Sequence, residues 1–132
     1  MTRPAALLAA LCALATTALA PPAGAFLEED MAKLTAALDA GRPVDCHACN
    51  LSYADLSGLD LSGANLAGAY MSGARLKGTV LRGATLDRAD LTRSDLTGAD
   101  FTGASMAEVR ATSARWCATA MPDGTVNDSR CE

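Results

Sequence analysis

Residues 64–78 read ANLAGAYMSGARLKG, and this stretch decides the fold because its large apolar residues, Leu66, Met71 and Leu76, return at every fifth position. An amphipathic helix needs an apolar residue about every 3.6 positions, and a half-buried strand needs one at every second position. A spacing of five matches neither pattern. The stretch therefore predicts a structure whose unit is five residues long.

The same spacing extends along the chain in both directions. A large apolar residue returns twelve times in succession between residues 51 and 106, and after Ala111 the register resumes at Trp116, Met121 and Val126. A small residue usually stands two positions before the large one, and a glycine usually stands two positions after it. The predicted inward ladder comprises Leu51, Leu56, Leu61, Leu66, Met71, Leu76, Leu81, Leu86, Leu91, Leu96, Phe101, Met106 and Trp116.

Each five-residue unit predicts a short straight side followed by a corner. The small and large residues are two positions apart, so on extended backbone they point to the same side, while the polar residue between them points outward. Glycine accepts the positive φ that a tight corner requires. Repeated corners of one hand wind the chain into an all-β solenoid with a stacked core of leucine and alanine.

The repeated phrase A-D/N-L-x-x over about residues 49–108 resembles the pentapeptide repeat family. The resemblance implies a right-handed quadrilateral β-helix with 20 residues per coil, and hence about four coils here. The CxxC that enters the first unit and the MPDG near the last cysteine look like features of exported members. Departures from the phrase at Thr79-Val80, Arg88, Arg93 and Val109 predict irregular corners and faces.

A short helix over residues 26–41 is predicted to cap the N-terminal end of the solenoid. Its apolar stripe has helical spacing, its three acidic residues are placed in the first turn, and Gly41 is expected to end it. The stripe comprises Leu27, Met31, Leu34 and Leu38, and the acidic residues are Glu28, Glu29 and Asp30. The other end is expected to be closed by residues 117–132.

Two outward columns follow from a coil of 20 residues. One alternates in charge and contains Asp55, Arg75, Asp95 and Arg115. The other carries hydroxyl groups and contains Ser52, Ser72, Thr92 and Thr112, which suit either a flat binding face or an ordinary β surface.

Residues 1–25 have the pattern of a cleaved signal peptide, with Arg3 before an apolar run and a small-x-small site that ends at Ala25. Cleavage after Ala20 is less favoured because Pro21 would then begin the mature chain. An uncleaved anchor would need about 20 apolar residues, and a lipoprotein signal would need a small residue in place of Leu11. The chain is therefore predicted to be exported, to the periplasm or out of the cell.

Four cysteines remain after cleavage, an even number that suits an oxidising compartment. Cys46 and Cys49 are predicted to form a disulfide that staples the helix to the first coil, and the alternatives are a redox pair or half of a metal site with His47. Cys117 and Cys131 are predicted to staple the C-terminal cap, and the alternative is pairing with Cys46 or Cys49.

The predicted domains are the signal peptide 1–25, the helix and linker 26–45, the repeat 46–116 and the C-terminal cap 117–132. No basic stripe marks a nucleic-acid surface in this chain of net charge −4. The outward aspartates could form an acid/base pair, but the expected role is a solvated face; they are Asp55, Asp60, Asp90, Asp95 and Asp100.

The predicted function is a non-catalytic structural or protein-interaction module of the cell envelope. Its expected partner is a protein or envelope component, with no cofactor, no bound metal, no nucleic acid and no stable membrane insertion after signal cleavage. The alternatives are a thiol–disulfide enzyme using Cys46 and Cys49, and an acidic nucleic-acid mimic that acts on a topoisomerase.

Overall fold

The computed structural model describes residues 23–131, and in this part of the chain each five-residue unit forms one side of a coil. The outward residue of each unit pairs in parallel with the outward residue 20 positions later. Four such ladders begin at Asp45, Asn50, Asp55 and Asp60, and the last of them ends at Ala120. Four sides of five residues therefore complete one turn of the solenoid.

The corners are tight turns with one residue in the left-handed conformation. At a representative corner, Gly73 has a φ of 69° and the Ala74 N–H donates to the Met71 carbonyl at 3.1 Å. A positive φ at the third residue of a four-residue turn defines the type II geometry and explains the glycine. The period of five in the sequence is thus the length of one side and its corner.

Three of the four expected irregularities are wrong. Arg88 and Arg93 have φ values of 63° and 60°, so their corners keep the same shape as those with glycine. The Thr79 side chain takes the place of an inward alanine and donates its hydroxyl to the Leu56 carbonyl at 2.7 Å, so this face also stays regular. At Val109, within the described chain, the turn hydrogen bond to Met106 is missing, and this corner is irregular as expected.

The inward ladder forms the core of the solenoid. Its members from Leu51 to Phe101 are buried, and each buried leucine contributes roughly 1.5–3 kcal/mol to stability. Met106 and Trp116 are only partly buried, because they belong to the last coil, where fewer residues cover them. The Trp116 ring packs against Phe101 with centroids 6.2 Å apart.

Helix α1 spans Ala23–Asp39 and begins earlier than the sequence pattern predicts. Glu28, Glu29 and Asp30 consequently do not lie in its first turn, which corrects that expectation. Gly41, with a φ of 65°, follows the last turn, and the Arg42 N–H donates to the Ala37 carbonyl at 2.9 Å. This arrangement is the glycine-containing C-cap that the sequence suggested.

Helix α1 covers the N-terminal end of the stack through two side chains. Leu34 is only 1% exposed and belongs to the same apolar cluster as the solenoid core. Asp30 accepts a hydrogen bond from the Asn50 N–H at 2.7 Å. The carboxylate therefore occupies the place that a carbonyl of a preceding coil would take, and it satisfies a donor at the open edge.

The C-terminal segment turns back on itself. Strand β1, Thr119–Ala120, pairs antiparallel with strand β2, Val126–Asn127, and Gly124 lies in the connecting turn with a φ of 86°. Val126 is 62% exposed and does not continue the inward register, because the chain has reversed direction before reaching it.

The predicted signal peptide lies outside the described residues, apart from its last three positions, which begin α1. Among the described helices, none has both the length and the apolar character that a membrane-spanning helix needs.

Candidate binding face

The outward aspartates hold the corners of the solenoid. In seven units the side-chain oxygen of the outward Asp or Asn accepts the N–H two residues later, at 3.0–3.2 Å; the acceptors are Asn50, Asp55, Asp60, Asn65, Asp90, Asp95 and Asp100. Hydroxyls of Ser62, Thr97 and Thr102 donate to the same oxygens at 2.6 Å. These carboxylates therefore have a local structural role.

These hydrogen bonds favour the ionised carboxylates. The hydroxyl and N–H of Thr102, helped by Arg82, lower the pKa of Asp100 to about 2. The Ser57 and Ser62 donors likewise lower the pKa values of Asp55 and Asp60. A general acid at neutral pH needs a raised pKa, so the lowered pKa values of these aspartates do not favour the acid/base pair considered from the sequence.

The alternating charge column is present in the backbone pairing. Asp55 pairs with Arg75, Arg75 with Asp95, and Asp95 with Arg115. The ion pair of Asp95, however, is with Lys77, at 3.7 Å. The column therefore supplies a mixed surface charge, and each exposed pair contributes below about 1 kcal/mol.

The N-terminal cysteine pair is a disulfide within the first coil. Cys46 and Cys49 are joined, and they are only 1% and 7% exposed. The bond crosses a corner between two neighbouring sides, so it does not link helix α1 to the coil as the sequence suggested. Its sulfurs are neither free to bind a metal nor open to a protein substrate, and the exposed His47 beside them has no thiolate partner.

The C-terminal pair, Cys117–Cys131, is also a disulfide and encloses the β1–β2 turn. Cys131 is exposed and Cys117 is partly buried. Closing a loop of this length lowers the entropy of the unfolded chain and stabilises the folded state by on the order of 3 kcal/mol.

Two exposed tyrosines distinguish one side of the solenoid. We define the tyrosine face as the ladder Asn50, Tyr70, Asp90 and Arg110 with its corner residues Tyr53, Gly73, Arg93 and Ser113. Tyr53 is 75% exposed and Tyr70 is 55% exposed, and Val126 is the other large apolar residue that is exposed in the described chain. The Tyr53 ring covers Gly73, where an added Cβ would lie only 2.5 Å from the ring.

Tyr70 stands between two depressions. One of about 480 Å³ is lined by Asp30, Ala48, Asn50 and Ser52. The second, which we name the corner groove, has a volume of about 430 Å³ and is lined by His47, Ala48, Ala67, Gly68, Asp87, Arg88, Ala107 and Glu108. Since these residues lie on four successive turns about 4.8 Å apart, the groove extends over about 14 Å, the length of some four extended residues.

The corner groove has a floor of small residues and a charged rim. Hydrogen bonds from the Ser105 hydroxyl and the Ala107 N–H lower the pKa of Asp87 and keep it ionised. Arg88 and Glu108 form an exposed ion pair at 3.8 Å. Tyrosine and arginine are enriched in protein–protein interfaces, so this combination suits the docking of a polypeptide.

The two tyrosines were missed by sequence reasoning, which concentrated on the repeating positions. A signal was available, because Tyr53 stands where the phrase has glycine and Tyr70 stands where it usually has a polar residue. The hydroxyl column adjoins these tyrosines, and its member Ser52 lines the first depression. Thr92, another member of the hydroxyl column, donates its N–H to the Asp90 carboxylate and so closes the turn at that corner.

Comparisons with known proteins agree with this architecture. A family model described as pentapeptide repeats matches residues 45–83 and 74–112, with eight copies of the repeat. No curated protein matches the chain.

Solved structures of pentapeptide repeat proteins are also similar to the chain. One from Nostoc PCC 7120 is 34% identical, with 64% of this chain and 73% of that chain covered and a TM-score of 0.41. One from the cyanobacterium Cyanothece 51142 is 28% identical, with coverage of 53% and 51% and a TM-score of 0.33. HetL of Nostoc, a protein involved in the regulation of heterocyst differentiation, is 21% identical, with coverage of 64% and 60% and a TM-score of 0.34.

Proposed function

Because the chain belongs to the pentapeptide repeat family, we propose that it is an exported interaction module that binds a protein partner through the tyrosine face and the corner groove. Members of this family form right-handed quadrilateral β-helices and are generally non-catalytic. In this proposal about four coils provide a rigid surface, and the helix and the C-terminal segment are caps.

The exposure of Tyr53 and Tyr70 on one side of the solenoid carries the proposal. A binding site uses an exposed aromatic ring as a large anchor of low conformational entropy, and two such rings lie on one side here. The parallel ladders fix the spacing of these rings, so a partner would meet a preformed surface and little ordering cost would be added on binding.

Capture of the partner from envelope extract tests the binding face. The tagged mature chain, which starts at Phe26, is compared with the double variant Tyr53→Ala/Tyr70→Ala and with the control Val126→Ala, which removes exposed apolar surface from the C-terminal cap. We expect a reproducible protein partner whose recovery falls at least tenfold with the tyrosine variant and is unchanged with the Val126→Ala control. Failure to recover any partner, or equal recovery by the three proteins, would contradict the proposal.

Export has a separate test, the intact mass of the chain recovered from the envelope fraction. The proposal expects a mature chain that starts at Phe26 and carries two disulfides. A chain that still starts at Met1 would contradict the assignment to the cell envelope.

A further inference from the structure

The two disulfides differ in their access to solvent. The N-terminal pair is buried in the core, whereas Cys131 is exposed and borders a depression of about 580 Å³ that is also lined by Ser113, Arg115, Asp128 and Arg130. An external thiol can therefore reach the sulfur of Cys131 without any opening of the solenoid.

Asp128 lies beside the exposed disulfide. A carboxylate oxygen of Asp128 and the sulfurs of Cys117 and Cys131 are all within 4.8 Å of one another. The Oδ1 atom of Asp128 accepts the Ala118 N–H at 3.0 Å, which fixes the direction of the carboxylate. The Oδ2 atom of Asp128 takes no part in this hydrogen bond.

The cap is held together by contacts other than the disulfide. Thr119 pairs with Asn127 and Ala120 with Val126. The Thr119 hydroxyl also donates to the Leu96 carbonyl at 2.7 Å and ties β1 to the preceding coil. These contacts do not involve the sulfurs, so we expect them to hold β1 and β2 together after the disulfide is broken.

We propose that the Cys117–Cys131 disulfide gates a metal site, in which the two reduced cysteines and Asp128 bind a zinc-like divalent cation. Two sulfurs and one carboxylate oxygen are ligands that Zn²⁺ accepts, and water would complete the tetrahedron. In such a site two thiolates lie about 3.7 Å apart, so the two sulfurs, which are bonded to each other here, must separate after reduction.

The opening step is an ordinary thiol–disulfide exchange with a dithiol as the reductant. A thiolate of the dithiol attacks the Cys131 sulfur, the disulfide bond breaks and Cys117 leaves as a thiolate. The second thiol of the reductant then attacks the mixed disulfide and releases Cys131, and the dithiol departs as a cyclic disulfide. Two electrons pass to the protein, and metal binding displaces the remaining thiol protons.

The surroundings balance the charge of the loaded site. Two thiolates and one carboxylate around a divalent cation leave a net charge of −1. Arg115 and Arg130 line the same depression and supply the compensating positive charge.

The test begins with mild reduction of the mature chain, which lacks Cys12, by dithiothreitol, followed by alkylation and mass analysis of a sample. We expect label on Cys117 and Cys131 while Cys46 and Cys49 stay oxidised. The reduced, unlabelled protein is then titrated with Co²⁺ as a spectroscopic substitute for Zn²⁺. We expect one equivalent to bind with thiolate-to-cobalt charge-transfer bands, and the oxidised protein to show none.

Two variants separate this site from other thiols. Asp128→Asn retains the oxygen that accepts the Ala118 N–H but removes the charge, and it should weaken cobalt binding at least tenfold. The control Asp123→Asn, in the same cap, should leave cobalt binding unchanged. Cys117→Ser/Cys131→Ser should abolish binding. The proposal is overturned if the reduced protein binds no cobalt, if either ligand variant binds as the wild type does, or if Cys46 and Cys49 are labelled first.

Discussion

Arg93 occupies a corner at which the backbone φ is 60°, a left-handed conformation that costs a residue with a side chain about 1–2 kcal/mol. Glycine accepts this conformation but loses more chain entropy on folding, by about 0.5–1 kcal/mol. We therefore expect Arg93→Gly to raise the free energy of unfolding by about 0.5–1 kcal/mol in urea titrations.

The reverse substitution is the matched control. Gly78 has a φ of 65°, and an added Cβ would meet no atom within 4 Å, so Gly78→Ala tests the backbone conformation alone. It should lower the free energy of unfolding by about 0.5–1 kcal/mol, because the strain of a side chain at positive φ outweighs the entropy that glycine loses on folding. If both substitutions are neutral, corner strain has no part in the stability of this solenoid.

The aspartates at the corners make stability depend on pH in the acid range. Hydrogen bonds from Thr102 lower the folded pKa of Asp100 to about 2, and similar bonds lower those of Asp60 and Asp90. A depressed folded pKa stabilises the protein above the unfolded value, and this contribution is lost as pH falls through the folded value. We expect urea midpoints that are level between pH 7 and 5 and that fall from about pH 4 to pH 2.

Asp100→Asn is the control for this prediction, because an amide oxygen still accepts from Thr102 but does not titrate. The variant should show a smaller fall in the urea midpoint over the same pH range. A wild-type midpoint that does not change down to pH 2 would show that the carboxylates contribute nothing to folding.

Helix α1 covers the end of the stack through Leu34. Removing this buried side chain should cost about 2–5 kcal/mol, since the cap cannot fully close over the cavity. We expect Leu34→Ala to lower the unfolding free energy by this amount, and Leu38→Ala, which is only partly buried, to cost less. An equal or negligible loss in both variants would mean that α1 does not cap the core.

The sequence predicted the elements unevenly. The stripe with Leu34 indicated a helix and its buried face, and Gly41 indicated its end. The helix begins at Ala23 and not at the predicted residue 26, since nothing in the composition of residues 23–25 marks a boundary. The register also placed Val126 inside, because the spacing of five continues through a segment that reverses direction and pairs antiparallel.

At the scale of the whole molecule, the period of five was sufficient to predict which residues point inward, because that assignment needs only local backbone geometry. The number of sides per coil depends on pairing between distant units, and it came from the family resemblance. The candidate face was not predicted, because Tyr53 and Tyr70 come to lie on one side of the solenoid only when units 20 residues apart are stacked.

The measurement that tests this stacking most directly is disulfide formation between introduced cysteines. Asn65 and Thr85 lie opposite each other on neighbouring coils, where Cα atoms about 4.8 Å apart permit a disulfide. Under mild oxidation the double variant Asn65→Cys/Thr85→Cys should cross-link within the monomer, while Tyr70→Cys/Thr85→Cys, 15 residues apart, should not. Cross-linking of the second pair instead of the first would contradict the coil of 20 residues, and with it the tyrosine face.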